Sequence, residues 1–337
     1  MNWKKISRGS LVVLCFLLVA GFFYPLPYYI SKPGMAKELE PIISVENGNS
    51  SEGSFMLTTI QMGKANIYTY MLAKWIDYWS VYKEEEIKRT DETDEEYNVR
   101  QLYLMEGSKA NAVISAFREA ELPYETHYEG VYVLSTLENM PAHEVLQAGD
   151  RITKVNGEQL TSSQQLMSYI KDQPEGSAIK LEIVRNSKTM EKSVQTKMNP
   201  ENNMLGIGIV LVDDRSVETE PEVEIDSSKI GGPSAGLMFS LEIYNQLVDE
   251  DITKGYDIAG TGTIDEDGNV GAIGGIDQKV VAASESGASI FFAPNESGEE
   301  NSNYAVALQT AQDIRTSMII VPVDTMEDAL NYLQSME

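Results

Sequence analysis

Ser234 stands in Gly232-Pro233-Ser234-Ala235-Gly236, a run of small residues that opens the apolar stretch 237–248. A hydroxyl at such a junction projects past a helix start, where backbone N–H groups without helical partners can hold a developing oxyanion. Gly232, Pro233 and Ala235 are the neighbours that would build this cradle. The plain alternative is a serine that caps a helix after a glycine turn. The five residues also satisfy G-x-S-x-G, a pattern that arises often by chance. In the hydrolase fold that uses the pattern, the chain order is serine, acid, histidine. Here both histidines, His127 and His143, precede Ser234, so that order is excluded. A histidine-acid-serine order stays open only if one of these two histidines reaches the site.

A serine without histidine needs another base, and a lysine serves once its ammonium form is destabilised. Lys279 fits this need. It follows Asp277, read as a helix N-cap, and precedes Val280, Val281, Ala282 and Ala283. Apolar burial and the positive end of a helix both lower a lysine pKa from about 10.4. Asp277 opposes that shift if it turns inward. The alternative is an ordinary exposed helix lysine.

Other chemistries find little support. The single cysteine, Cys15, builds neither a disulfide framework nor a thiolate metal site. His143-Glu144 begins an H-E pair, but residue 147 is Gln, so the two-histidine zinc helix is missing and no metal is expected. No P-loop sequence occurs, so no nucleotide and no cofactor are expected. Ser168 and Lys171 form an S-x-x-K match without the partner segments of penicillin-binding enzymes, and read as coincidence. A net charge of −26 disfavours phosphate backbones and hence nucleic acid.

The elements that must position these residues fall into three textures. Lys4, Lys5 and Arg8 precede an apolar run over residues 11–30. Twenty helical residues reach about 30 Å, so the run reads as a membrane-spanning anchor over 10–30. Residues 1–9 would then be cytoplasmic and the body extracytoplasmic, a single-pass cell-membrane protein. Residues 36–125 supply a strand at 55–60, a helical pattern at 64–82 and a second helix at 95–120. Residues 126–198 are rich in short strands, with a helix at 163–171 and turns at Asn156-Gly157 and Pro174-Glu175-Gly176. Residues 199–337 alternate strands and helices, which argues for a mixed α/β layer fold.

The middle texture resembles a PDZ domain, on Glu129-Gly-Val-Tyr-Val133, on Ala148-Gly-Asp-Arg-Ile-Thr-Lys-Val-Asn-Gly157 and on the helix Gln164–Lys171. That resemblance implies a peptide received by strand addition at Gly130, Val131, Tyr132 and Val133. Asn139-Met140-Pro141-Ala142 departs from the usual Ser-Pro-Ala and leaves ligand preference open.

Gly231-Gly-Pro-Ser-Ala-Gly236, together with residues 261–283 (TGTIDEDGNVGAIGGIDQKVVAA), is similar to the proteolytic domain of the Lon family of Ser/Lys peptidases. The resemblance implies that Ser234 is the nucleophile, Lys279 the base and Thr261 the residue supporting the lysine. Gly231 departs from the acid that many members carry there. The expected fold is therefore an α/β (α+β) Lon-type domain with an inserted PDZ domain and one transmembrane helix. The whole resembles the membrane-anchored Lon-like peptidases of Gram-positive bacteria. The implied function is ATP-independent hydrolysis of peptides or unfolded protein segments, with the membrane as a further partner and a homo-oligomer left open. An inactive peptidase fold that scaffolds partners through its PDZ domain is the rival.

Overall fold

The computed structural model describes residues 8–89, 92–200, 203–227 and 230–336. Its first element corrects an expectation. The apolar run over 11–30 does not form one helix: the helix spans Arg8–Phe23, and Pro25–Glu38 is a strand. Prolines 25 and 27 explain the break, since each lacks an N–H and its ring clashes with the preceding turn. Beyond them Tyr29 pairs with Lys64 on one side and Tyr82 on the other, and Tyr29 and Ile30 are buried in a sheet. Sixteen helical residues reach about 24 Å, short of a bilayer's apolar thickness of about 30 Å. Among the described residues, no helix is long and apolar enough to cross a membrane. The transmembrane anchor and the localisation drawn from it are therefore not supported. Residues 1–7, with Lys4 and Lys5, lie outside the described residues.

The central sheet has six strands, in the order Ile319–Val323, Ile290–Pro294, Asp257–Gly260, Ser54–Asn66, Pro25–Glu38 and Ser80–Lys83. Its first three strands and Ser54–Asn66 run parallel, while Pro25–Glu38 pairs antiparallel on both sides. Strand Ser54–Asn66 thus lies between Pro25–Glu38 and Asp257–Gly260, segments about 220 residues apart in the chain. Helices Gly236–Leu247 and Asp94–Glu119 pack together over one face, around Phe55, Phe117, Phe239 and Leu241. The longer helix starts at a capping box: the Thr93 side chain accepts from the Glu96 N–H, and the Glu96 carboxylate accepts from the Thr93 N–H. Helix Ile276–Glu285 lies against a second cluster containing Met56, Ala259 and Phe291.

A separate β-rich unit follows the long helix. Its sheet order is Ile209–Thr219, Tyr124–Thr136, Arg151–Val155, Ala178–Arg185 and Lys188–Gln195, and it has its own core of Val131, Val133, Ile152, Leu166 and Leu181. Helix Ser163–Lys171 is amphipathic, with Leu166 and Ile170 buried.

Glu242 is an anomaly in the larger core, only 2% exposed on the helix Gly236–Leu247. Its Oε1 accepts from Gln246 Nε2 at 2.6 Å. Burial pushes its carboxyl up to about 7. The folded state therefore prefers the protonated form, and stability contributed by Glu242 is lost as pH rises from about 4 to about 7. Glu242→Gln keeps the hydrogen bond without the charge. Chemical denaturation at pH 8 is expected to show a gain of about 3 kcal/mol, shrinking towards zero at pH 4.

Candidate active site

Ser234 lies two residues before the first residue of helix Gly236–Leu247. Its approach is bent by Gly232, whose φ of +89° is a left-handed conformation that suits glycine. The Gly232 N–H donates to Gln101 O at 2.8 Å, and Ser108 Oγ donates to Pro233 O at 3.0 Å. Both anchors come from the helix Asp94–Glu119. Gly236 is required for a different reason: a Cβ there would meet Ile264 N at 2.9 Å and Ser108 Oγ at 2.8 Å. The motif's small residues are thus explained by close approach of three segments.

Lys279 is delivered by helix Ile276–Glu285. That helix starts two residues earlier than its sequence suggests, with Gly275 at the N-cap in the left-handed region, φ +69°. Asp277 therefore sits in the first turn and is not the cap. The Lys279 side chain is buried, 3% exposed. Its Nζ lies 2.8 Å from Ser234 Oγ and 2.9 Å from Thr261 Oγ1. Burial pushes its pKa down to about 7, because the low-polarity surroundings disfavour the ammonium form.

Thr261 fixes the direction of these bonds. It is fully buried, and its hydroxyl proton is donated to Ser234 O at 2.9 Å. A hydroxyl has one proton, so Thr261 Oγ1 can only accept from Lys279. A neutral lysine that donates one N–H to Thr261 can turn its lone pair towards the Ser234 hydroxyl. The Gly262 N–H also donates to Ser234 O, at 3.0 Å, which holds the serine backbone in place.

Ser234, Lys279 and Thr261 therefore come together. The oxyanion neighbours fare differently: Gly232 N–H is taken by Gln101 O, and Pro233 has no N–H. Neither can donate to an oxyanion, which leaves Ala235 of the three. His127 lies near Glu125 and Glu218, and His143 Nδ1 is 3.0 Å from Thr136 Oγ1. Neither histidine is among the hydrogen-bond partners of Ser234.

Gly130 to Val133 also require correction. Their strand is paired on both sides: Val133 opposite Leu211, Tyr132 opposite Val212 and Arg151, Val131 opposite Asp213 and Ile152. Val131 and Val133 are completely buried. No edge is left there for an added strand. One of the two outermost strands of this sheet is Ile209–Thr219, and a groove of about 870 Å³ separates its start from helix Ser163–Lys171. Sequence reading missed this groove, as it missed Gln101, Ser108 and Asn111. Asn111 Nδ2 donates to Ile264 O at 2.9 Å.

Known proteins resemble the chain in two separate parts. A family model described as the PDZ domain matches residues 111–196. One described as the Lon protease (S16) C-terminal proteolytic domain matches residues 223–335. A Lon protease of Campylobacter jejuni is 33% identical over 101 residues, which is 30% of this chain and 12% of that protein. A Lon protease of Aster yellows witches'-broom phytoplasma is 31% identical over 100 residues, again 30% and 12%. The chain thus spans about an eighth of the length of these curated relatives. Among solved structures, the PDZ domain of an SdrC-like protein from Listeria monocytogenes is 35% identical. It covers 26% of this chain and 90% of its own, with a TM-score of 0.25. Residues 111–196 thus match a PDZ domain and residues 223–335 a Lon-type C-terminal proteolytic domain.

Proposed function

We propose that the chain is a serine endopeptidase that uses a Ser234–Lys279 dyad. One observation carries this reading: a buried lysine amine within hydrogen-bond distance of both Ser234 Oγ and Thr261 Oγ1. Neutral Lys279 takes the Ser234 proton as Oγ attacks the scissile carbonyl. The resulting ammonium returns the proton to the leaving amine, and water then resolves the acyl-enzyme by the same route. Thr261 positions the lysine. The Ser234 and Ala235 N–H groups, at the start of helix Gly236–Leu247, are the oxyanion donors.

The sequence has no P-loop, and turnover by the full chain is proposed to need no nucleotide. Without an unfolding engine the substrates are peptides or already unfolded segments. The PDZ domain captures them through the groove beside Ile209–Thr219, whose open edge suits strand addition. The test is hydrolysis of an unfolded polypeptide without ATP, by the full chain and by its Ser234→Ala variant. Loss of cleavage in the variant is expected. Equal cleavage by both removes Ser234 as nucleophile, and no cleavage by either leaves an inactive scaffold.

We further infer that the PDZ domain is inserted within a peptidase unit formed by the chain before and after it. The PDZ sheet takes in Tyr124–Thr136 and Ile209–Thr219, so the insert is longer than the expected 126–198, and the peptidase unit includes strand Pro25–Glu38. The support is strand Ser54–Asn66, which lies beside Asp257–Gly260 in the sheet. Deleting residues 36–125 is expected to abolish cooperative unfolding of the remainder, read by circular dichroism. A stable, active 200–337 fragment contradicts the insertion.

A further inference from the structure

Two cavities meet end to end beside the strand Ile209–Thr219. The first is the groove of about 870 Å³, bounded at one end by the turn Gly206, Ile207, Gly208 and by Lys171. The second, of about 520 Å³, is walled by Val212 to Arg215, by Ser108 of the long helix, and by Pro233 and Thr263. Ser163 and Leu211 line both. Pro233, in the wall of the second cavity, immediately precedes Ser234 in the chain.

Strand Ile209–Thr219 is an edge strand of its sheet and runs along both cavities. An outermost strand presents N–H and C=O groups on which another chain can pair. The charges along this path are not symmetric. Exposed Lys171 stands at the Gly206–Gly208 end. At the junction stands Asp213, whose Oδ1 accepts from Ser163 N at 2.7 Å and from the Tyr128 hydroxyl at 3.5 Å. The nearby Arg215 guanidinium is paired with Glu266, and Arg151 lies 2.5 Å from Asp214. A free carboxylate is therefore attracted to the Lys171 end and repelled from the Asp213 end.

Resting on the Ser234 reading, we propose that the two cavities are one substrate track that sets the cut by distance from the carboxy terminus. The substrate's terminal carboxylate is held beside Lys171 at the Gly206–Gly208 turn. Its chain adds antiparallel to Ile209–Thr219, passes Asp213 and reaches Ser234. From Gly208 to Arg215 is about seven residues, or about 24 Å of extended chain. Cleavage therefore falls about seven or more residues from the carboxy terminus and keeps that distance.

The test uses the full chain and unstructured peptides of a uniform repeating sequence, each ending in an apolar residue with a free carboxylate. The peptides are lengthened one residue at a time at either end, and the products are weighed by mass spectrometry. A carboxy-terminal product of constant length is expected throughout. Amidating the peptide terminus, or introducing Lys171→Glu, is expected to raise KM about tenfold, the loss of one favourable charge contact, with kcat unchanged. Product lengths that scatter or follow the amino terminus, with amide and acid cut alike, overturn the track. That result leaves the dyad standing as long as Ser234→Ala is inactive. Cleavage by Ser234→Ala removes the dyad, while constancy of product length still decides the track.

Discussion

Replacing Lys279 with methionine is expected to abolish peptide hydrolysis and, at the same time, to make the folded chain more stable. The activity loss should be on the order of 10⁴-fold or greater, as for removal of one member of a catalytic unit that acts together. Methionine fills similar space, so the loss reports the missing amine and not a collapsed site. The gain in stability has the same origin as the catalysis. Folding lowers the Lys279 pKa to about 7 by burial, whereas the unfolded chain keeps a value of about 10.4. Between these two values the unfolded state binds more protons, so stability rises with pH through that window. Below about 7 the desolvation penalty is present in full; above about 10.4 it has vanished. At pH 7 the penalty is about 4 kcal/mol, and an apolar side chain does not incur it. Denaturant titration of the native and Lys279→Met chains from pH 7 to pH 10 should show curves that converge. A less stable variant at pH 7 means that the lysine is a structural member of the site.

The second large effect is on rate against pH. Only the free amine can accept the Ser234 proton, so kcat/KM for a short peptide should rise through about pH 7 and then level off. Two units below that midpoint about 1% of the amine is free, and the rate should be about a hundredfold below the plateau. The rise is on the side where Lys279 loses its charge, consistent with burial as the cause of its shift. A profile that stays flat from pH 5 to pH 9 removes the lysine as base.

The meeting of Ser234, Lys279 and Thr261 was legible in the sequence because its signals are written locally. Gly232 to Gly236 and the segment 261–283 hold Ser234 and Lys279 near small residues, and at Gly236 the need is steric. The PDZ elements were also legible: Arg151–Val155 and Ser163–Lys171 follow the expected spans, and Asn156-Gly157 adopts the two positive φ values of a tight turn. What escaped depends on partners far away in the chain. Hydropathy alone counts residues 11–30 as one apolar run and cannot tell that Tyr29 and Ile30 are buried by flanking strands. The helical pattern over 64–82 fails for a similar reason. The strand runs to Asn66, whose side chain accepts from Tyr68 N and Thr69 N and starts only a short helix, Ile67–Leu72. Tyr70 spends its periodicity on Tyr28, with ring centroids 5.0 Å apart. Gly130 to Val133 looked like a receptive edge because pairing on both sides is invisible in one segment. Gln101 and Ser108 belong to a helix whose pattern gives no sign that it supports the serine turn.

The most direct test of the dyad is phosphonylation of Ser234 itself by a small fluorophosphonate probe, with fluoride as the leaving group, followed at increasing pH, with the labelled residue identified by peptide mass spectrometry. The dyad predicts a single label on Ser234, a labelling rate that rises through about pH 7, and no label in Lys279→Met. Equal labelling of Ser234 with and without Lys279, or a label on another serine, contradicts it.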